Sequence, residues 1–73
     1  MTIAEAVEKT YEALPYGNFS GIVLWTNTKR LARNPSLREA SVMRSLRRLR
    51  SDNKINYILV GKRTGLYSKE RMT

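Results

Sequence analysis

The spacing of apolar residues changes at Asn53. Upstream, apolar side chains recur every three or four residues. Downstream, Ile55, Tyr57 and Leu59 alternate with Asn56, Ile58 and Val60, the two-residue period of a strand. Gly61-Lys62-Arg63-Thr64-Gly65 then reads as a glycine-bounded turn with two cations at its tip, and Leu66-Tyr67-Ser68 as a short return strand. The pattern predicts a β-hairpin over 55–68. Helical spacing first and a hairpin last places the chain in the α+β class, with helices segregated from an antiparallel sheet. Lys69 to Thr73 is polar and is expected to fray.

Three helices are expected before the hairpin. The first spans 2–14: Thr2 and Glu5 have capping-box spacing, and Ile3, Val7, Thr10, Tyr11 and Leu14 share a face. Glu5, Glu8 and Glu12 form a solvated stripe on the other face, and Pro15 stops the helix. Pro15-Tyr16-Gly17-Asn18 is turn chemistry. The second helix spans 20–33, with Ser20 as its cap and Phe19 placed to pack on Leu24. Leu24, Thr28 and Leu31 share its face, flanked by Trp25 and Ala32. A strand over 21–25 competes, because Ile22 and Val23 are β-branched within an apolar run; helix is preferred. Trp25 is expected in the core rather than as a base-stacking platform. No strand is evident between these two helices.

Asn34-Pro35 breaks the chain, and a third helix spans 36–52. Ser36 and Glu39 have capping-box spacing, although a start near Arg38 is the alternative. Val42, Leu46 and Leu49 fall on one stripe. Arg44, Arg47 and Arg48 project from the other side, with Ala40, Ser41 and Ser51 between or near them. A helix with one apolar face and one face of arginines and small residues suits a DNA groove. Small residues permit close approach, and arginines reach phosphates and guanine edges.

Composition points the same way. The chain has 73 residues, enough for one small domain. Cysteine and histidine are absent, and the acidic residues are one Asp and five Glu. Disulfides and thiolate-bound zinc are excluded, and metal hydrolysis or nucleophile–histidine catalysis has almost no residues to use. No enzyme, metal, cofactor or small-molecule ligand is expected. Lys and Arg number 14 against six acids, a formal charge of +8. Nine of these cations are arginine, whose planar fork matches phosphate and guanine. A polyanionic partner is implied. No apolar run reaches membrane-spanning length and no signal peptide is apparent, so the expected location is the cytoplasm, on DNA.

The order helix, helix, turn, arginine helix, hairpin with a basic tip resembles the winged helix-turn-helix superfamily of DNA-binding domains. Arg30-Leu31-Ala32 looks like the end of the family's first helix-turn-helix element. Ser41 to Leu49 looks like its recognition helix, Asn53 to Tyr57 like the approach to the wing, and Gly61 to Gly65 like the wing's tip. The small size and basic charge resemble those of compact phage- or plasmid-type regulators. Many members carry glycine where Asn53 stands, and asparagine is the next-best residue for that left-handed cap. The missing strand between the first two helices is a second departure, and it puts a three-stranded sheet in doubt.

The resemblance implies sequence-specific binding to double-stranded DNA by a small regulator. Ser41, Arg44 and Arg47 are the candidates for base edges, with Ser45 and Arg48 flanking them toward phosphate. Lys62 and Arg63 would reach backbone or minor groove, and Arg30, Arg33 and Arg38 would suit phosphates. Arg50 is expected to lay its stem on the core, and Tyr57 and Tyr67 to be hairpin core. The alternative is a protein-interaction module docking on an acidic surface of a larger protein or polymerase. Binding to RNA or single strands ranks lower, because the aromatics fall on expected core positions. A homodimer or partner protein would supply further specificity, with the helix over 2–14 and any exposed part of Trp25 as the dimerisation candidate.

Overall fold

The computed structural model describes residues 1–72. Three helices and a three-stranded antiparallel sheet follow one another as α1 (Ile3–Glu12), β1 (Gly17–Ser20), α2 (Gly21–Ala32), α3 (Glu39–Ser51), β2 (Tyr57–Gly61) and β3 (Leu66–Lys69). The sheet order is β1-β3-β2, so the last strand lies at the centre.

α1 starts at the expected capping box. The Glu5 amide donates to Thr2 Oγ1 and the Thr2 amide to Glu5 Oε1, both at 3.1 Å. Val7, Thr10 and Tyr11 are buried as expected, whereas Ile3 at the first turn is exposed. β1 is the main departure from the sequence pattern. The segment read as a turn pairs with β3, Phe19 opposite Tyr67, and completes a three-stranded sheet. Gly-Asn-Phe-Ser has one apolar residue and no alternation to display. Its extended state is set by its partner strand rather than by its own pattern.

α2 is helical through the disputed stretch 21–25. Ser20 Oγ accepts from the Ile22 amide at 3.2 Å, the expected cap. Leu24 and Thr28 are fully buried, but Leu31 is exposed, which corrects its placement on the core face. The stripe drifts off the core as α2 leaves the domain at Arg33. That residue has left-handed geometry (φ 54°), and the Asn34 amide closes the helix end on Lys29 O at 3.0 Å.

α3 begins at Glu39 rather than at 36, so the Ser36–Glu39 capping box does not form. Leu37 is the reason. It is buried, and its carbonyl accepts the Trp25 indole N–H at 2.8 Å. The linker delivers it through a turn in which the Leu37 amide donates to Asn34 O at 3.2 Å, and the helix starts only afterwards. Trp25 is thereby half-buried against the core, with Lys29 Nζ 4.0 Å from its ring centroid. At the other end Asn53 takes φ 60°, and the Lys54 amide reaches Leu49 O at 2.9 Å. Asparagine does serve as the left-handed cap.

The core holds Val7, Tyr11, Phe19, Leu24, Leu37, Val42, Leu46, Leu49, Ile55 and Tyr57. Tyr67 stacks on Phe19 at 5.5 Å and meets Tyr57 edge-on at 5.6 Å, joining all three strands on one face. Leu59 was expected to continue the Ile55–Tyr57 face inward. It is half exposed, because the chain bulges between Leu59 and Gly61 and runs past the helices that cover Tyr57.

The polar end of the chain is anchored rather than frayed through Arg71, and Thr73 lies outside the described residues. Lys69 is buried, and its ammonium donates to Tyr11 O (3.1 Å), Glu12 O (3.1 Å) and Leu14 O (2.7 Å). These carbonyls lie at and just beyond the end of α1, where the negative end of the helix dipole is, and Tyr11 O also accepts the Leu14 amide at 3.0 Å. The Glu70 amide donates to Asn56 O, and Asn56 Nδ2 to Arg71 O, both at 3.0 Å.

Two predictions follow from this packing. Lys69→Met keeps the stem and removes the ammonium's hydrogen bonds to Tyr11 O, Glu12 O and Leu14 O, so it should cost about 2 kcal/mol, read as a lower urea midpoint. A loss below about 0.5 kcal/mol would show that the carbonyls find water instead. The second concerns Tyr11, whose hydroxyl donates to Asn56 O and whose pKa burial pushes up to about 12. The unfolded chain releases that proton near 10, so the contribution is complete below about 10 and is lost as pH rises toward 12. Stability should therefore fall between about pH 10 and pH 12 more steeply in the wild type than in Tyr11→Phe, measured by urea unfolding at each pH.

Candidate nucleic-acid interface

Burial of Val42, Leu46 and Leu49 fixes the rotation of α3 about its axis. With that stripe inward, Arg44, Arg47 and Arg48 are exposed, and Ser41 and Ser45 are half-buried along the flank. Arg48 Nε lies 3.4 Å from Asp52 Oδ2, one turn on, with its side chain 79% exposed. Exposed pairs of this kind contribute little and leave the guanidinium available. It is the one ion pair among the described residues. Arg44 and Arg47 therefore have no carboxylate partner among them.

Arg50 differs from its neighbours. Its Nη1 donates to Tyr57 O at 3.2 Å, and its guanidinium carbon sits 4.5 Å from the centroid of the Tyr57 ring. The expected stem packing is extended to the head group, which joins α3 to β2. Burial raises the Tyr57 pKa, against the opposing pull of Arg50. Next to this contact runs a cleft between α3 and the sheet, walled by Met43, Arg47, Arg50, Tyr57, Leu59 and Tyr67.

The hairpin tip is brought to the N-terminal half of α3. Lys62 and Arg63 share a hollow with Glu39 and Met43 of α3 and with Gly21 and Ile22 of α2. Gly65, at φ 63°, allows the sharp return, and its carbonyl accepts the Gly21 amide at 3.0 Å. Thr64 Oγ1 closes the turn on Gly61 O at 3.3 Å. A β-carbon at Gly21 would make ordinary van der Waals contact with the Tyr67 ring (3.4 Å) and Gly65 O (3.6 Å), so this approach does not depend on glycine. Ile22 at the same hollow is exposed. The sequence reading assigned it no role, because a β-branched residue in an apolar run looks like core. Arg38 precedes α3 as its N-cap, exposed and with no side-chain capping bond.

Arg30 and Arg33 are placed elsewhere. They line a groove with Lys9 and Thr10 of α1 and with Ala13 and Leu14 just past its end, rather than the outer face of α3. Arg30 Nη2 donates to Asn27 Oδ1 at 2.6 Å. The ten candidate residues thus divide into an α3–tip group and a pair at the α1–α2 groove. α1 packs on α3, and its Glu5 and Glu12 are exposed. Among the described residues no helix is long and apolar enough to cross a membrane.

Compared with known proteins, the chain matches no protein family, no curated protein and no solved structure.

The different surroundings of two neighbouring arginines can be measured. Arg50→Ala should lower stability by about 1 kcal/mol through the lost hydrogen bond and ring contact. Arg47→Ala should stay within about 0.5 kcal/mol of wild type in the same thermal melt. Equal losses would mean that Arg47, too, holds α3 in place.

Proposed function

We propose that the chain is a winged helix-turn-helix domain that binds double-stranded DNA, with α3 in the major groove and the β2–β3 hairpin as its wing. The observation that carries this is the placement of the Lys62–Arg63 tip beside the helix that presents Arg44 and Arg47, on a surface whose nearby carboxylates are Glu39 and Asp52. The strand β1, between the first two helices, removes one departure from the family's pattern, and Asn53 in left-handed geometry answers the other.

A major groove about 12 Å wide admits an α-helix. Arg44 and Arg47, with Ser41 beside them, face base edges, and an arginine paired to guanine is worth about 1–3 kcal/mol of discrimination. Ser45, Arg48 and Arg38 border that face toward phosphate. Lys62 and Arg63 meet backbone or minor groove and position the domain without reading sequence. Duplex is favoured over single strands because the aromatic rings that could stack on bases are largely engaged. Tyr11, Phe19 and Tyr57 are buried, and Trp25 lies under Lys29. The biological role in this reading is that of a small regulator of transcription or of another DNA transaction.

Fluorescence anisotropy with labelled duplex, single-stranded DNA and RNA across a salt series tests the proposal. Duplex should bind best, with a log–log salt slope of about −4 to −5 for roughly four to six phosphate contacts. Arg44→Ala with Arg47→Ala should weaken duplex binding at least tenfold on a folded protein. Lys62→Ala with Arg63→Ala should weaken all sequences alike. Negligible binding to every nucleic acid at low salt would overturn the proposal in favour of docking on an acidic protein surface.

A further inference from the structure

The groove between α1 and α2 is a second cationic surface, and it shares no residue with the hollows at α3 and the hairpin tip. Lys9, Arg30 and Arg33 line it, all three exposed, and no carboxylate does. None of the three is in an ion pair, since the Arg48–Asp52 pair is the one such pair among the described residues. The needs of the helix ends do not account for these cations. Lys69 already takes the carbonyls at the end of α1, and the Arg33 and Asn34 amides close the end of α2 on Arg30 O and Lys29 O. Asn27 Oδ1 accepts from Arg30 Nη2 at 2.6 Å, which fixes the guanidinium at the groove and leaves its other donors free. The apolar part of the lining is Ala13, Leu14 and Leu31, the last 43% exposed.

We infer that this groove docks an acidic amphipathic segment of another protein, which sets apolar side chains on Leu31, Leu14 and Ala13 and offers carboxylates to Lys9, Arg30 and Arg33. Charge complementarity selects the sign of the partner. Three unpaired cations with no carboxylate among them repel the same face of a second copy and any basic segment. The apolar lining selects the kind of partner. A nucleic-acid backbone brings phosphates but nothing apolar to cover Leu31, whereas an amphipathic peptide brings both. The groove holds about 700 Å³, room for several side chains rather than for one inorganic anion. Its apolar part is small and its charges are exposed, so affinity belongs in the micromolar range and weakens with added salt. The inference is independent of how α3 is used.

Selection of phage-displayed random peptides on the full chain tests it, followed by fluorescence anisotropy of the most enriched peptide. The enriched sequences should combine Asp or Glu with large apolar residues. Arg30→Gln with Arg33→Asn should weaken binding of that peptide at least tenfold; asparagine suits the left-handed backbone at position 33. Leu31→Ser should weaken it about fivefold through the lost apolar contact. Arg44→Ala with Arg47→Ala should leave it unchanged. Circular dichroism melts should show all three variants folded, since every altered side chain is exposed. Four results would each overturn the inference: no enriched peptide, an acidic peptide indifferent to Leu31→Ser, binding lost with Arg44 and Arg47 instead of Arg30 and Arg33, or displacement of the peptide by duplex DNA from the variant lacking Arg44 and Arg47. The last would make the groove a seat for phosphates.

Discussion

The pairing of β1 with β3 organises the rest of the structure. β1 runs straight into α2, so fixing Phe19 opposite Tyr67 also fixes where α2 begins. The Gly21 amide then reaches Gly65 O at the base of the hairpin tip, and Lys62 and Arg63 come to lie beside Glu39 and Met43 of α3. Without this strand pair the hairpin would be an isolated two-stranded ribbon, marginal in water and free to swing. With it, the tip and the arginine helix form one surface. The aromatic contacts of Tyr67 with Phe19 and Tyr57 add packing to the same joint.

Much of this could be read from the sequence because it is written in local periodicity. The capping box at Thr2 and Glu5, the cap at Ser20, the inward stripe of α3, the left-handed Asn53 and the glycine-bounded turn are each determined within a few residues. The features that were missed depend on partners distant in sequence. β1 is a strand because β3 is there. Leu37 holds the start of α3 back because Trp25, 12 residues earlier, takes its carbonyl. Lys69 looked like part of a solvated tail, yet it caps a helix 55 to 58 residues away. Leu31 and Leu59 sit on correctly phased stripes that outrun the core, and phase alone does not say where a core ends. The candidate site was legible in its composition. Its division into an α3–tip group and an α1–α2 pair became visible only in three dimensions.

Arginines with the same formal charge do different work here. Arg50 is held by Tyr57 and joins helix to sheet. Arg30 and Arg33 line the groove between the first two helices together with Lys9. Arg44 and Arg47 stand exposed without acidic partners, which is costly for a basic chain unless a polyanion neutralises them. The same excess of charge favours a nucleic-acid partner for α3.

Amide chemical-shift mapping of the labelled chain, titrated with a short duplex, tests the central claim most directly because it locates the contact surface without altering a residue. The account predicts that the shifts concentrate on Arg44, Arg47, Arg48, Lys62 and Arg63, while Lys9, Asn27 and Leu31 stay unshifted. Shifts confined to the α1–α2 groove, or none along α3, would contradict it.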